Sequence, residues 1–93
     1  MIKSFGDAKT RRIFARESVR AHPDGVIRII LRKLLMIDAA EALSDLRVPP
    51  GNRLEKLKGT RKGQFSIRVN DQMRICFRWQ GSDAHDVELT DYH

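Results

Sequence analysis

The hydrophobic period of this chain changes once, at Pro49-Pro50-Gly51, and that change limits what the chain can fold into. Before it, Ile27, Ile30, Leu31, Leu34 and Leu35 recur at helical spacing, followed by Ile37, Ala40 and Leu43. Apolar residues three and four apart share one face of a helix. The spacing predicts a helix from about Asp24 to about Glu41, with a further turn through Leu46 within reach. Arg28, Arg32 and Lys33 fall toward the other, solvent-facing side. After the break, Phe65, Ile67 and Val69 alternate with Gln64, Ser66 and Arg68, and Ile75, Phe77 and Trp79 alternate with Arg74, Cys76 and Arg78. A period of two belongs to strands with one buried face. The combination predicts an α+β fold, with N-terminal helices packed on one face of a small antiparallel meander.

Weaker signals fill in the rest. Asp7 is suited to cap a helix over 8–17, with Ile13 and Phe14 on its buried side. Ile2 to Phe5 is a short possible strand, and 18–25 reads as a connection. Leu54 and Leu57 flank a short extended stretch, and Gly59 to Gly63 is a loop. Asn70-Asp71 sits where a tight hairpin turn belongs, and Gly81-Ser82-Asp83 is a second turn. Val87 and Leu89 alternate with Glu88 and Thr90 in a last strand that carries Asp91, Tyr92 and His93. Ninety-three residues make one domain with a small core.

Charge narrows the function. Eighteen Lys and Arg against twelve Asp and Glu give +6, and the excess is uneven: residues 1–20 carry +4, 51–80 carry +6 and 81–93 carry −4. The balance favours a polyanionic partner, whether nucleic acid, an anionic membrane or an acidic protein. No apolar run reaches the ~18–20 residues of a membrane span. The opening lacks the apolar region of a signal peptide, so the default compartment is the cytosol. The one cysteine, Cys76, cannot form an internal disulfide or a cysteine-based metal site. There is no GxGxxG, P-loop, HExxH or internal repeat.

The alternation places Arg68 on the polar sheet face, opposite Arg74 or Arg78, with Lys56, Lys58, Arg61 and Lys62 on the approach. Like charges facing one another across strands are destabilising, and an anionic ligand would offset that repulsion. The bland alternative is a solvated sheet face. Asp91-Tyr92-His93 is either a frayed end or, anchored by Val87 and Leu89, a cluster of titratable groups beside cations. Glu55 is a surface charge or a carboxylate base at the rim. His22 and His85 read as incidental, Cys76 as inert, and Phe65, Phe77 and Trp79 as core.

The blocks Arg53-Leu54-Glu55-Lys56-Leu57-Lys58-Gly59, Gly63-Gln64-Phe65-Ser66-Ile67-Arg68-Val69-Asn70 and Gln72-Met73-Arg74-Ile75-Cys76-Phe77, with the closing Asp91-Tyr92-His93, resemble the HigB toxins of the RelE-like superfamily of bacterial type II toxin–antitoxin systems. The Met1-Ile2-Lys3-Ser4-Phe5 opening and the segment Pro49 to Leu54 are similar too, so the likeness spans essentially the whole chain. It implies a microbial-RNase-like α+β fold and an mRNA interferase that cleaves the codon in the ribosomal A site. The implied partners are the 70S ribosome with its mRNA and a HigA-like helix-turn-helix antitoxin, with operator DNA reached only through the antitoxin. Carried over by position, Lys58 and Arg74 fit catalytic positions and Asp91, Tyr92 and His93 the C-terminal functional triplet. Arg68 and Gln72 fall at or beside RNA-contact positions, and Glu55, Lys56, Arg61, Lys62 and Arg78 complete the expected RNA-binding set. Some relatives carry a histidine near Glu55 and an asparagine near Gln72.

The implied chemistry needs no metal or cofactor, because the RNA 2′-hydroxyl attacks the adjacent phosphorus in line. The protein must take the 2′ proton, stabilise the transition-state charge and protonate the 5′-oxygen. Lys58 and Arg74 suit the charge, Arg68 the scissile phosphate, His93 the proton transfer and Asp91 its orientation. Tyr92 suits stacking on a base or a phosphate hydrogen bond. The competing readings are a non-catalytic RNA- or DNA-binding module on the same basic sheet and an interaction subunit for an acidic partner.

Overall fold

The computed structural model describes residues 1–91; Tyr92 and His93 lie outside the described residues. Two helices, α1 (Ala8–Phe14) and α2 (Asp24–Ala39), precede four strands: β1 (Glu55–Lys56), β2 (Phe65–Arg68), β3 (Met73–Gln80) and β4 (Asp83–Asp91). Short 3-10 turns occupy Leu43–Arg47, Pro50–Asn52 and Gly59–Arg61. The α+β expectation holds, as does the meander: the sheet order is β1-β2-β3-β4 with every pair antiparallel.

Asp7 caps α1 as expected, its side chain accepting from Thr10 N at 2.7 Å. The helix stops at Phe14 rather than 17 because Arg16 takes a φ of +60°, a left-handed conformation that no right-handed helix contains. α2 ends at Ala39 and does not run on to Leu46. The Asp45 carboxylate accepts from the backbone N–H of Glu41 and Ala42, at 3.0 and 3.1 Å, and so competes for the donors that a longer helix would need.

The β2–β3 connection is also longer than a two-residue turn. Arg68 faces Arg74, and Asn70 to Gln72 form the loop beyond the Val69–Met73 hydrogen bond. Asn70 Oδ1 closes it by accepting from Gln72 N at 2.8 Å and Met73 N at 2.9 Å. In β4 the register slips by one residue: Cys76 faces Glu88, but Arg78 faces His85. Asp86, at φ +53°, sits in this bulge. The extra residue lets Ala84 and Val87, three apart, both point into the core.

Ile2 to Phe5 forms two isolated parallel bridges, Ile2 to Ala84 and Phe5 to Val87, rather than a full strand. These lie along the outer edge of β4. Lys3 N donates to Ala84 O at 2.8 Å, Gly6 N to Val87 O at 2.9 Å, and Ala84 N to Met1 O at 2.9 Å. Thr10 Oγ1 on α1 accepts the next edge donor, Leu89 N, at 2.9 Å. An otherwise bare strand edge is thereby covered.

Ile13, Ile30, Leu34 and Ile37 from the helices pack on Ile67, Ile75, Phe77, Val87 and Leu89 from the sheet. Of the three aromatics expected in the core, Phe77 is fully buried in this cluster, and Phe65 and Trp79 are half-buried and packed against it. Lys33 overturns the solvent-facing expectation. It is only 8% exposed, and its ammonium donates to Asn52 Oδ1. The Pro50–Asn52 turn supplies an amide within reach, so the head group finds a partner while its stem packs among apolar neighbours. No helix among the described residues is long and apolar enough to cross a membrane.

Candidate functional site

The sheet face turned away from the helices is organised in cross-strand rows. One row is Arg68, Arg74 and Thr90; the next is Glu55, Ser66, Cys76 and Glu88. Successive rows are roughly 7 Å apart along the strands. The register settles that Arg74, not Arg78, faces Arg68 directly.

Arg74 is held on several sides. Its Nε donates to Ser66 Oγ at 2.7 Å, and its Nη2 to Arg53 O at 2.6 Å and Ser66 O at 3.3 Å. The Glu55 carboxylate lies 3.9 Å from Nη2. Nη1, with two N–H donors, has no hydrogen bond among the described residues. Arg68 pairs with Asp71 across the hairpin loop and stays partly exposed. The facing cations are thus each turned toward an oxygen of their own, which relieves the repulsion without requiring a ligand. Thr90 Oγ1, in the same row, is buried with no hydrogen-bond partner among the described residues.

The next row is not the open polar floor that alternation predicts. Ser66 and Cys76 are fully buried. Arg74 lies down over Ser66, as a long guanidinium chain does over a short neighbour. Arg61 reaches from the Gly59–Arg61 turn to Glu88 Oε1 at 2.7 Å and to Gln64 Oε1 at 3.1 Å.

The other candidates are more scattered. Lys58 caps the Gly59–Arg61 turn and, with Lys56 and Lys62, lines a hollow of about 290 Å³. Lys56 faces Phe65 in the register, so it points to the helix side of the sheet and not with Arg74. There it borders a cleft of about 610 Å³ with Arg47, Arg53, Leu54 and Phe65. Arg78 shares Arg74's phase, but lies two rows along and 3.5 Å from Asp86 at the bulge. Gln72 sits on the exposed hairpin loop. Asp91 pairs with Met73, one residue past Thr90 and in the phase of Leu89. The Tyr92 and His93 expectations fall outside the described residues.

Residues that sequence reasoning missed surround Arg74: Ser66, the Arg53 carbonyl, and behind it Asn52 and Lys33. Burial, then the charges of Arg32 and Arg68, hold the Lys33 ammonium below the usual lysine range. What results is a fixed guanidinium whose Nη1 edge is uncommitted among the described residues, with a second arginine opposite and a carboxylate beside it. That arrangement can take a phosphate group.

The model of the RelE-like HigB toxin of type II toxin–antitoxin systems matches residues 3–93. This chain belongs to the HigB family of RelE-like toxins. It is 53% identical over 70 residues to Toxin HigB-1 of Vibrio cholerae serotype O1, covering 75% of this chain and 74% of the relative. It is 32% identical over 93 residues to Endoribonuclease HigB of Proteus vulgaris, end to end in both. In fold, this HigB-family chain resembles the YoeB–YefM complex from Staphylococcus aureus. The TM-score is 0.62 at 17% identity, covering 100% of this chain and 98% of that one.

Proposed function

We propose that this chain is a ribosome-dependent mRNA endoribonuclease toxin, which cuts the codon presented in the A site and thereby stops translation. Its HigB family membership and a full-length relative named as an endoribonuclease support the reaction class. The observation that carries it here is Arg74, fixed by Ser66 and the Arg53 carbonyl, with Nη1 making no hydrogen bond among the described residues and Arg68 directly opposite.

In this scheme Arg74 and Lys58 stabilise the charge that builds on the phosphorane-like transition state, and Arg68 holds the scissile phosphate. Glu55, whose carboxylate lies 3.9 Å from Arg74, takes the 2′ proton. His93 returns a proton to the 5′-oxygen, Asp91 orients it, and Tyr92 stacks on a base. Lys56, Arg61, Lys62, Gln72 and Arg78 supply outer RNA contacts. The nucleophile is the RNA's own hydroxyl, so the scheme routes no step through a metal. The protein acts in the cytosol, where translation occurs. A HigA-like helix-turn-helix antitoxin neutralises it, and operator DNA is met only through that antitoxin.

The test is induced expression of wild type against Arg74→Ala, with mapping of mRNA 5′ ends and circular dichroism of both proteins. Wild type should arrest growth and create new 5′ ends within codons, with upstream fragments ending in a 2′,3′-cyclic phosphate or 3′-phosphate. Arg74→Ala should fold, should leave growth unarrested and should retain only a residual cleavage rate. Wild-type fragments ending in a 3′-hydroxyl, or a fully toxic Arg74→Ala, would overturn the reading.

A further inference from the structure

We infer that Lys33 is a positioning residue for Arg74, acting through Asn52 and the backbone carbonyl of Arg53. The inference rests on the reading of Arg74 as the residue that meets the phosphate. Arg53 stands in the left-handed region at φ +45°, which a non-glycine residue adopts only when its surroundings hold it there. That conformation is what aims its carbonyl at Arg74 Nη2, 2.6 Å away.

The hold comes from the residue before it. Asn52 is fully buried and donates to Leu46 O at 3.2 Å and Val48 O at 3.4 Å, while its Oδ1 accepts from Lys33. The backbone of the turn adds Asn52 N to Pro49 O and Arg53 N to Pro50 O, at 2.9 and 3.1 Å. Lys33 itself rises from α2 between Ile30, Leu34 and Ile37, all fully buried. The rigid core helix therefore fixes the amide, the amide fixes the turn, and the turn's carbonyl fixes the guanidinium.

A buried lysine calls for a reason, because an apolar residue would pack there at lower desolvation cost. Its charge is also set near those of Arg32 and Arg68, which oppose it. Lys33 is too enclosed and too engaged with Asn52 to touch RNA itself. Its effect on the reaction must pass through what Asn52 holds, and Arg53 is the next residue along the chain.

The test uses purified toxin, the Nε–H NMR resonance of Arg74, and steady-state cleavage of a reporter mRNA in a reconstituted translation system. Lys33→Met should shift or broaden the Arg74 resonance and lower kcat tenfold or more, with KM within about twofold. Lys33→Arg, which keeps a donor, should fall between the two. In an Arg74→Ala background Lys33→Met should cost no further rate, since the two act as one unit. Lys33→Met strands the buried Asn52 oxygen and so costs stability, and Lys33→Met/Asn52→Leu, which removes both partners together, serves as the second variant. It should fold with kcat still low and the Arg74 resonance still displaced. The inference is overturned if that double variant has wild-type kcat and an unmoved resonance, or if Lys33→Met slows the Arg74→Ala enzyme by the same factor as wild type. Were the reading of Arg74 wrong instead, cleavage would survive Arg74→Ala while the resonance still reported whether Lys33 holds it.

Discussion

Lys33 gives the protein a pH response whose sign can be worked out. Burial, and then Arg32 and Arg68, lower its proton affinity from the ordinary 10.5. In the alkaline range below 10.5 the unfolded chain therefore binds more protons than the folded one, so stability rises with pH there. Below the depressed folded value both states are protonated and the full penalty is present. Urea midpoints of wild type and Lys33→Met, taken at neutral pH and near pH 10, should move in favour of wild type at the higher pH. No relative movement would mean that Lys33 titrates as an exposed lysine does. At the same scale, and on the proposed function, Glu55→Gln should lower cleavage by about 10²–10⁴-fold, the usual contribution of a general base. Undiminished cleavage would remove Glu55 from that role. Arg74 was legible in the sequence because its phase follows from the alternation of Ile75, Phe77 and Trp79. Lys33 was not. A periodicity rule sorts residues by type, and the partner that receives this lysine's ammonium is an asparagine nineteen positions away.

Among the elements, β4 shows both what local pattern reveals and where it stops. Val87 and Leu89 announce a half-buried strand, and they form one. The bulge at Asp86 breaks the alternation that would otherwise put Ala84 on the wrong face, and no local signal marks it. Nor does the sequence show that the opening segment runs parallel to this strand, since bridges between residues more than eighty apart leave no trace in spacing. The seam's energetics can be probed at Thr10. Thr10→Val keeps shape but leaves the buried Leu89 N–H without its acceptor, and should cost about 1–3 kcal/mol in urea unfolding. A loss near zero would show that another acceptor substitutes. Gly6 lies against the same strand, where a Cβ would come within 3.2 Å of the Asp86 backbone oxygen and closer still to the Glu88 side chain. Gly6→Ala should therefore loosen the seam as well.

For the molecule as a whole, the +6 balance is a statement about association rather than fold. Arg28 and Arg32 are exposed on α2, apart from the Arg74 face, and on the proposed function they are the cations offered to ribosomal RNA. Replacing both by Ala should weaken ribosome binding and flatten its salt dependence by roughly 0.7–0.9 in log–log slope per lost phosphate contact, with the urea midpoint unchanged. An unaltered slope would make them bystanders. The covered edge of β4 also has a bearing on timing. Met1 to Thr10 leave the synthetic machinery well before the groups they bond to, from Ala84 to Leu89. Closing the seam is the most non-local step in this topology, and such steps are slow. A nascent chain therefore carries Arg68 and Arg74 well before it has the outer strand that frames them, and the sheet closes only after that strand has been made.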